Sequence, residues 1–269
     1  MPKCHGLFIG INDYKGTQND LYGCVNDAND WSALIAPTCS TTSLLLNGQA
    51  SRAGIINGIL GLFRKLAKGD TGIITYSGHG TWVPDRNGDE ADKRDEALVG
   101  ADLQLILDDE LHAMLSTRLA GTNIFFVTDS CNSGTVYRMF NPIGESPVLA
   151  PRIRFLPPEK LPLSASDHAR AEKVATLRAA SKSPVIVANT IHYAGCLETQ
   201  YSYDAIFGSR PNGAFTYCAL KALKSLPKRA TTYATWFKTI QRMLPTAQYP
   251  QTPVMNAGGV EGSWTMPWW

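Results

Sequence analysis

Apolar positions in the first half of the chain fall into four short, nearly continuous runs at residues 4–11, 42–46, 72–76 and 123–128, each followed by a turn or helix signal. A strand buried on both faces needs a continuous apolar run rather than an alternating one, so this rhythm predicts a parallel sheet covered by helices. Between the second and third runs, Ser51 stands where an N-cap belongs. Ile55, Ile56, Ile59, Leu62, Phe63 and Leu66 then recur at helical spacing, and Gly69 closes the segment. Leu111, Met114, Leu115 and Leu119 line one face of a second predicted helix, about 109–119, and residues 27–34 read as another. The second half repeats the alternation, with a strand at 185–188, helices near 214–223 and 233–244, and a last strand near 252–255. The predicted fold class is therefore α/β, an open and mostly parallel sheet with helices on both faces.

Two stretches break the rhythm. Residues 85–110 hold ten acidic side chains against three basic ones, so the stretch either binds something cationic or is a solvated loop. Residues 140–183 are rich in proline (Pro142, Pro147, Pro151, Pro157, Pro158, Pro162) and carry Arg152, Arg154, Lys160, Arg170, Lys173, Arg178 and Lys182. Proline at that density excludes a central strand or a long helix over the first half, which predicts an exposed connection. It divides one fold into parts at 1–139 and 184–269, and it is a row of basic cleavage sites.

Composition narrows the function classes. With 269 residues, 44% hydrophobic and only 18% charged, the chain can bury a core without staples, and disorder is excluded. A net charge of +2 gives no reason to expect a nucleic-acid partner. No apolar run approaches the roughly eighteen residues of a membrane span, and residues 1–10 lack the order of a signal peptide. The expectation is a soluble, cytoplasmic, monomeric protein. Cysteines 4, 24, 39, 131, 196 and 218 show neither CxxC pairs nor histidines at zinc spacing, which predicts six free thiols, one of them available as a nucleophile.

Cys131 lies in Thr128-Asp129-Ser130-Cys131-Asn132-Ser133-Gly134, directly after the fourth apolar run, and His79 lies in Ser77-Gly78-His79-Gly80, directly after the third. Carboxyl ends of strands in an open α/β sheet are where reactive groups are presented. Two neighbouring ends would set an imidazole opposite a thiol and raise the thiolate fraction. Glycines on either side of His79 let a substrate carbonyl approach main-chain N–H groups. Each residue alone has a plainer reading, a small buried hydrophobe or a structural histidine. The pair is stronger, because positions 79 and 131 are 52 apart, close to the roughly fifty that separate His from Cys in caspases, although the caspase signature Gln-Ala-Cys-x-Gly is absent.

The chain resembles the metacaspases, caspase-related cysteine peptidases. The resemblance rests on Tyr76-Ser77-Gly78-His79-Gly80, Asp129-Ser130-Cys131-Asn132-Ser133-Gly134, Cys24-Val25-Asn26-Asp27-Ala28 and Asp108-Asp109-Glu110-Leu111. In the second half it rests on Gly195-Cys196, Asp204-Ala205 and Gly213-Ala214-Phe215-Thr216-Tyr217. It implies a caspase-like α/β sandwich with a mostly parallel six-stranded sheet, a large-subunit-like region at 1–139 and a small-subunit-like region at 184–269. It also implies Cys131 as nucleophile, His79 as general acid and base, and an oxyanion hole from the N–H groups of Gly80 and Cys131. The corresponding substrate pocket is Cys24, Asp27, Ser77 and Asp129. Two desolvated carboxylates favour a guanidinium or ammonium and repel an acid, so cleavage is expected after Arg or Lys of a protein or peptide rather than after Asp. On the plainer reading, Asp129 caps a turn and Asp27 starts a helix.

Asp85, Asn87, Asp89 and Glu96 fit positions of an EF-hand loop, but Glu90 replaces its glycine and Lys93 sits among the ligands, which argues against one. The resemblance implies calcium held by Asp95, Asp108 and Asp109 instead, with Arg138 where a fourth carboxylate is usual. The plainer reading makes Asp108 or Asp109 a helix cap. No organic cofactor is expected. Self-cleavage is expected among Arg152, Arg154, Lys160, Arg170, Lys173, Arg178 and Lys182. Only five residues precede Gly6, which reads as a bare protease domain controlled by calcium, by cutting in 140–183, or by a separate activating protein. Trp264, Trp268 and Trp269 form either a docking patch or the packing of a terminus. The rivals are a catalytically silent module that binds basic segments, an Asn- or Asp-cutting relative, and a calcium-binding regulator.

Overall fold

The computed structural model describes residues 2–84, 94–131, 150–162, 189–257 and 261–269. Six strands form the central sheet: β1 (Cys4–Gly10), β2 (Thr41–Leu46), β3 (Thr71–Ser77), β7 (Asn123–Asp129), β9 (Thr190–Ala194) and β12 (Val254–Ala257), in the order β12-β9-β7-β3-β1-β2. All neighbours are parallel except the edge pair β12–β9. Side-chain alternation along the middle strands divides the interior in two. Leu7, Ile9, Ile74, Tyr76, Ile124 and Phe126 join the core under α2 (Arg52–Phe63) and α3 (Asp108–Ser116). Phe8, Ile73, Phe125, Val127, Ile191 and Tyr193 join the core under α1 (Cys24–Ile35), α4 (Ala214–Lys224) and α5 (Tyr233–Ile240). The predicted α/β architecture with helices on both faces is therefore the observed one.

The helices start where local chemistry dictates. Ser51 accepts the Gly54 N–H at 3.2 Å to open α2, and Thr232 accepts the Thr235 N–H at 3.1 Å to open α5. In α1 the buried Cys24, Ala28, Trp31 and Ile35 recur every three or four residues and face the sheet. Trp268 is buried against Phe125, Tyr233 and Trp236, so the carboxyl-terminal aromatics pack the terminus onto the core.

Four expectations need correction. The acidic stretch is not a solvated loop throughout. β4 (Gly80–Pro84), β5 (Arg94–Val99) and β6 (Leu105–Leu107) make an antiparallel three-stranded sheet, and residues 85–93 lie outside the described ones. The connection at 140–183 is not simply exposed. Its described part enters a second small sheet through β8 (Arg152–Ile153), paired with β10 (Tyr203–Phe207), which also pairs β11 (Arg210–Gly213). Leu156 and Leu161 are buried in the core beneath α2 and α3. The thiols are not all free: Cys4 and Cys39 are joined as a disulfide with Cα atoms 4.5 Å apart. β1 and β2 run side by side, and Ser40 donates its N–H to the Cys4 carbonyl at 2.8 Å, which brings the two cysteines together from 35 positions apart. Lastly, the strand beside β7 is Thr190–Ala194, and the predicted 185–188 lies outside the described residues.

Among the described residues no helix is long and apolar enough to cross a membrane. The ring of Phe125 sits 5.0 Å from Tyr193, 4.9 Å from Tyr233, 5.5 Å from Trp236 and 5.8 Å from Trp268, at the centre of one core. In a Cys131→Ala background, Phe125→Ala should destabilise by about 3–5 kcal/mol in urea unfolding. Leu119→Ala, at a residue 54% exposed, should stay within about 0.5 kcal/mol of the parent.

Candidate active site

β3 and β7 are neighbours in register, Ser77 opposite Asp129, so the turns that follow them emerge side by side. His79 lies between β3 and β4, and Cys131 lies two residues past β7. Both are buried, at 4% and 0% exposed. The Tyr14 hydroxyl accepts the His79 N–H at 2.7 Å and the Tyr76 hydroxyl donates to the His79 carbonyl at 2.7 Å, which fixes the backbone on both sides of the ring. The ring itself lies 2.7 Å by Nε2 from the Asn19 carbonyl. A carbonyl can only accept, so the proton sits on Nε2 and the Nδ1 lone pair is free. Nδ1 is buried and has no hydrogen-bond partner among the described residues. Burial pushes the His79 imidazole down to about 4, and the nearby Arg154 and Lys160 charges push the same way.

The main-chain carbonyl of Arg154 occupies the space between these turns. It accepts the Gly80 N–H at 3.0 Å and the Cys131 N–H at 3.1 Å. Those are the two donors the resemblance implies for an oxyanion hole, and the carbonyl they hold is the chain's own. Arg154 also donates its N–H to the Ser202 carbonyl at 3.0 Å, and Leu156 donates to the Gly80 carbonyl at 3.0 Å. Residues 152–156 thus lie extended across the strand ends, held by main-chain bonds before and after Arg154, the geometry of a peptide added to a sheet edge. The Cys131 sulfur lies against the same edge and accepts the Ser202 N–H at 2.6 Å. Cys196 donates towards the Ser130 carbonyl at 3.6 Å. Its thiol is pushed well up, first by a hydrogen bond with Cys131 and then by burial, so it stays a neutral donor beside the sulfur.

The side chain of Arg154 is fully buried in an acidic chamber. Its Nη2 lies 2.7 Å from Asp27 Oδ2 and 3.0 Å from Asp204 Oδ1, and its Nη1 lies 3.2 Å from Asp129 Oδ2. Nη1 also donates to the Asp129 carbonyl at 3.1 Å. Every carboxylate has other partners. Asp27 takes Asn212 Nδ2 at 2.9 Å and the Gly213 N–H at 3.0 Å. Asp129 takes the Thr216 N–H at 2.9 Å, at the start of α4, where the helix dipole favours an anion. Asp204 takes the Tyr22 and Gly23 N–H groups at 2.6 and 2.9 Å. Gly213 is required for space: a Cβ there would come within 2.5 Å of Arg154 Nη1 and closer still to Asp129 Oδ2. Burial and the neighbouring Asp129 push the Asp27 carboxyl up to about 7 even though the guanidinium opposes them. The Cys24 thiol is pushed well above its usual value, first by burial.

Of the sequence-predicted residues, Asp27 and Asp129 line the chamber directly, and Cys24 and Ser77 are buried beside it. Asp204 was missed as a pocket residue, although it stood within the Asp204-Ala205 stretch. Gly213 and Ser202 were missed as well, because their roles are steric and main-chain. Among the predicted cleavage points, Arg152 and Lys160 are at least partly accessible, whereas Arg154 is buried. Arg170, Lys173, Arg178 and Lys182 lie outside the described residues, as does Arg138. Asp95 on β5 and Asp109 at the start of α3 are both buried, and the pairing of Ala97 with Leu107 puts them on adjacent strand ends with Asp108 next to Asp109. Among the described residues, however, no three His, Cys, Asp or Glu side chains are grouped so as to hold a metal ion.

A family model described as Caspase domain matches residues 3–261. Metacaspase-1 of Cryptococcus neoformans is 27% identical over 95% of this chain and 62% of its own length. Metacaspase-1B of Neosartorya fischeri is 25% identical over 97% of this chain and 70% of its own. The chain thus spans a little under two thirds of the first of these relatives. A solved structure of protein GSU0716 from Geobacter sulfurreducens superposes with a TM-score of 0.69 at 30% identity, covering 95% of this chain and 93% of that one. Caspase-1 from Spodoptera frugiperda shares the fold at 12% identity with a TM-score of 0.61, covering 95% and 86%.

The depressed His79 value has a thermodynamic consequence. An unfolded histidine titrates near about 6.5, so between there and about 4 the unfolded chain binds a proton that the folded one refuses. Stability then falls as pH falls through that window and has no His79 contribution to its slope above it. Urea unfolding of Cys131→Ala across this range should show the loss, and adding His79→Gln should flatten part of it. An unchanged slope would count against a neutral, buried imidazole.

Proposed function

The chain belongs to the caspase-domain family of cysteine peptidases, and from that premise we propose that it is an endopeptidase cutting after arginine, with its own Arg154–Phe155 bond as a substrate. One observation carries this reading: the Arg154 guanidinium fills the acidic chamber while its carbonyl rests on the Gly80 and Cys131 N–H groups. In the reaction, the Cys131 thiol passes its proton to His79 Nδ1 and the sulfur attacks the Arg154 carbonyl carbon. Negative charge develops on the oxygen the two N–H groups already hold. His79 then gives the proton to the departing Phe155 nitrogen, leaving Arg154 as a thioester on Cys131. Water, deprotonated by His79, hydrolyses that thioester and restores the thiol.

Charge and shape support arginine over lysine. Both terminal nitrogens of the guanidinium are used, on carboxylates from α1, β7 and β10, and a single ammonium cannot span those positions. An aspartate side chain would meet three carboxylates and no cation. Calcium stimulation and a separate activating protein stay within the proposal on the resemblance alone, and no step above passes through calcium. A cytoplasmic location and a monomeric state belong to the proposal in the same way.

Intact-mass spectrometry of the purified wild-type chain, with calcium and with chelator, should reveal a new carboxyl terminus at Arg154 and a new amino terminus at Phe155. Cys131→Ala and Arg154→Ala should lack both, and Arg154→Lys should form them about tenfold more slowly. Identical masses for wild type and Cys131→Ala in both conditions would favour a silent binding module. The chamber also sets a pH dependence. Burial and Asp129 raise Asp27 to about 7 while the Arg154 guanidinium opposes them, so an empty chamber holds a proton more tightly, and a cation entering it expels that proton. KM for arginine peptides should therefore fall as pH rises above about 7, and Asp27→Asn should remove that dependence.

A further inference from the structure

Arg152 lies two positions before Arg154 on an extended segment, so both side chains project to the same side while Ile153 projects to the other. The Arg152 guanidinium lies over the ring of Tyr22 at 3.8 Å from its centroid. It also donates to the Asp20 carbonyl and to the Tyr22 hydroxyl. Tyr22 is a large aromatic side chain left 38% exposed, yet its main chain is not free to move. Its N–H is bound by Asp204 at 2.6 Å and its carbonyl accepts Asn12 Nδ2 at 3.0 Å. Asp204 closes the Arg154 chamber with its other oxygen, which also takes the Gly23 N–H at 2.9 Å. One carboxylate thus fixes the wall of the acidic chamber and the platform beside it. The Asp20 carboxylate is engaged elsewhere, accepting the Tyr14 N–H at 3.0 Å. The platform therefore reads a cation through an aromatic face and a carbonyl rather than through a second ion pair.

Resting on the arginine-directed reading above, we propose that Tyr22 and the Asp20 carbonyl form a second specificity site that selects a basic residue two positions before the arginine at the cleaved bond, so that the preferred substrates carry Arg-x-Arg. An exposed cation–π contact with neutral acceptors supports a preference of roughly three- to tenfold. Lysine at that position should be accepted, because the site holds no carboxylate fork.

The test uses the self-processed full chain and two fluorogenic peptides that end in Arg-Ile-Arg and Ala-Ile-Arg. Wild type should show kcat/KM about three- to tenfold higher for Arg-Ile-Arg. Tyr22→Ala should bring the two peptides within about twofold of each other, and Tyr22→Phe, which keeps the ring, should retain part of the preference. In the uncut chain, Arg152→Ala should slow self-cleavage at Arg154, and Arg152→Glu should slow it further. Equal kcat/KM for the two peptides, with clear turnover of both, would overturn the second site and leave the arginine reading standing. Turnover of neither peptide would defeat the arginine reading and this site with it.

Discussion

A guanidinium with no exposure to water must be compensated where it sits, and the Arg154 side chain is compensated by three carboxylates drawn from distant parts of the chain. Asp27 arrives on α1, Asp129 at the end of β7 and Asp204 on β10. Taking away one partner of such a cluster typically costs about 3–5 kcal/mol, because the remaining charges stay buried without it. Each acid is therefore held by donors of its own, among them the Gly213 and Thr216 N–H groups and those of Tyr22 and Gly23. The chamber thus holds the chain's own Arg154 guanidinium with every carboxylate separately anchored.

The sheet makes this possible. Parallel strands place all their carboxyl ends at one edge of the molecule, and the register of Ser77 with Asp129 puts the His79 and Cys131 turns side by side. Two cores, one on each face of the sheet, fix those strands. The placement of these two turns thus follows from burying Ile73, Ile74, Phe125 and Phe126 on alternating faces. The segment that lies extended past β10 places its Arg154 carbonyl on the Gly80 and Cys131 N–H groups.

The parts of this arrangement that were legible in the sequence are those written locally. The apolar runs of β1, β3 and β7, the Ser51 cap and the His79 and Cys131 turns each depend on neighbouring residues, and each was found within a residue or two of its place. β4, β5, β10 and β11 were not legible: they are short, antiparallel and mixed in polarity, and their stability comes from partners rather than from an apolar run. Prolines around Arg154 read correctly as excluding a helix or a central strand and wrongly as exposure, because an extended segment can also lie bound in a groove. The contacts of Arg154 and Asp204 with Asp27 and Asp129, and the pairing of Cys4 with Cys39, arise from strand and helix packing rather than from neighbouring residues, and Asp27 and Asp129 were reached only through the resemblance.

The most direct test is a crystal structure of the Cys131→Ala chain, which keeps the bond after Arg154 intact. The account requires Arg154 Nη atoms within hydrogen-bonding reach of Asp27, Asp129 and Asp204, at distances near 2.7 to 3.2 Å, with the Arg154 carbonyl on the N–H groups of residues 80 and 131. An Arg154 side chain in solvent, or a chamber filled by some other residue of the chain, would contradict it.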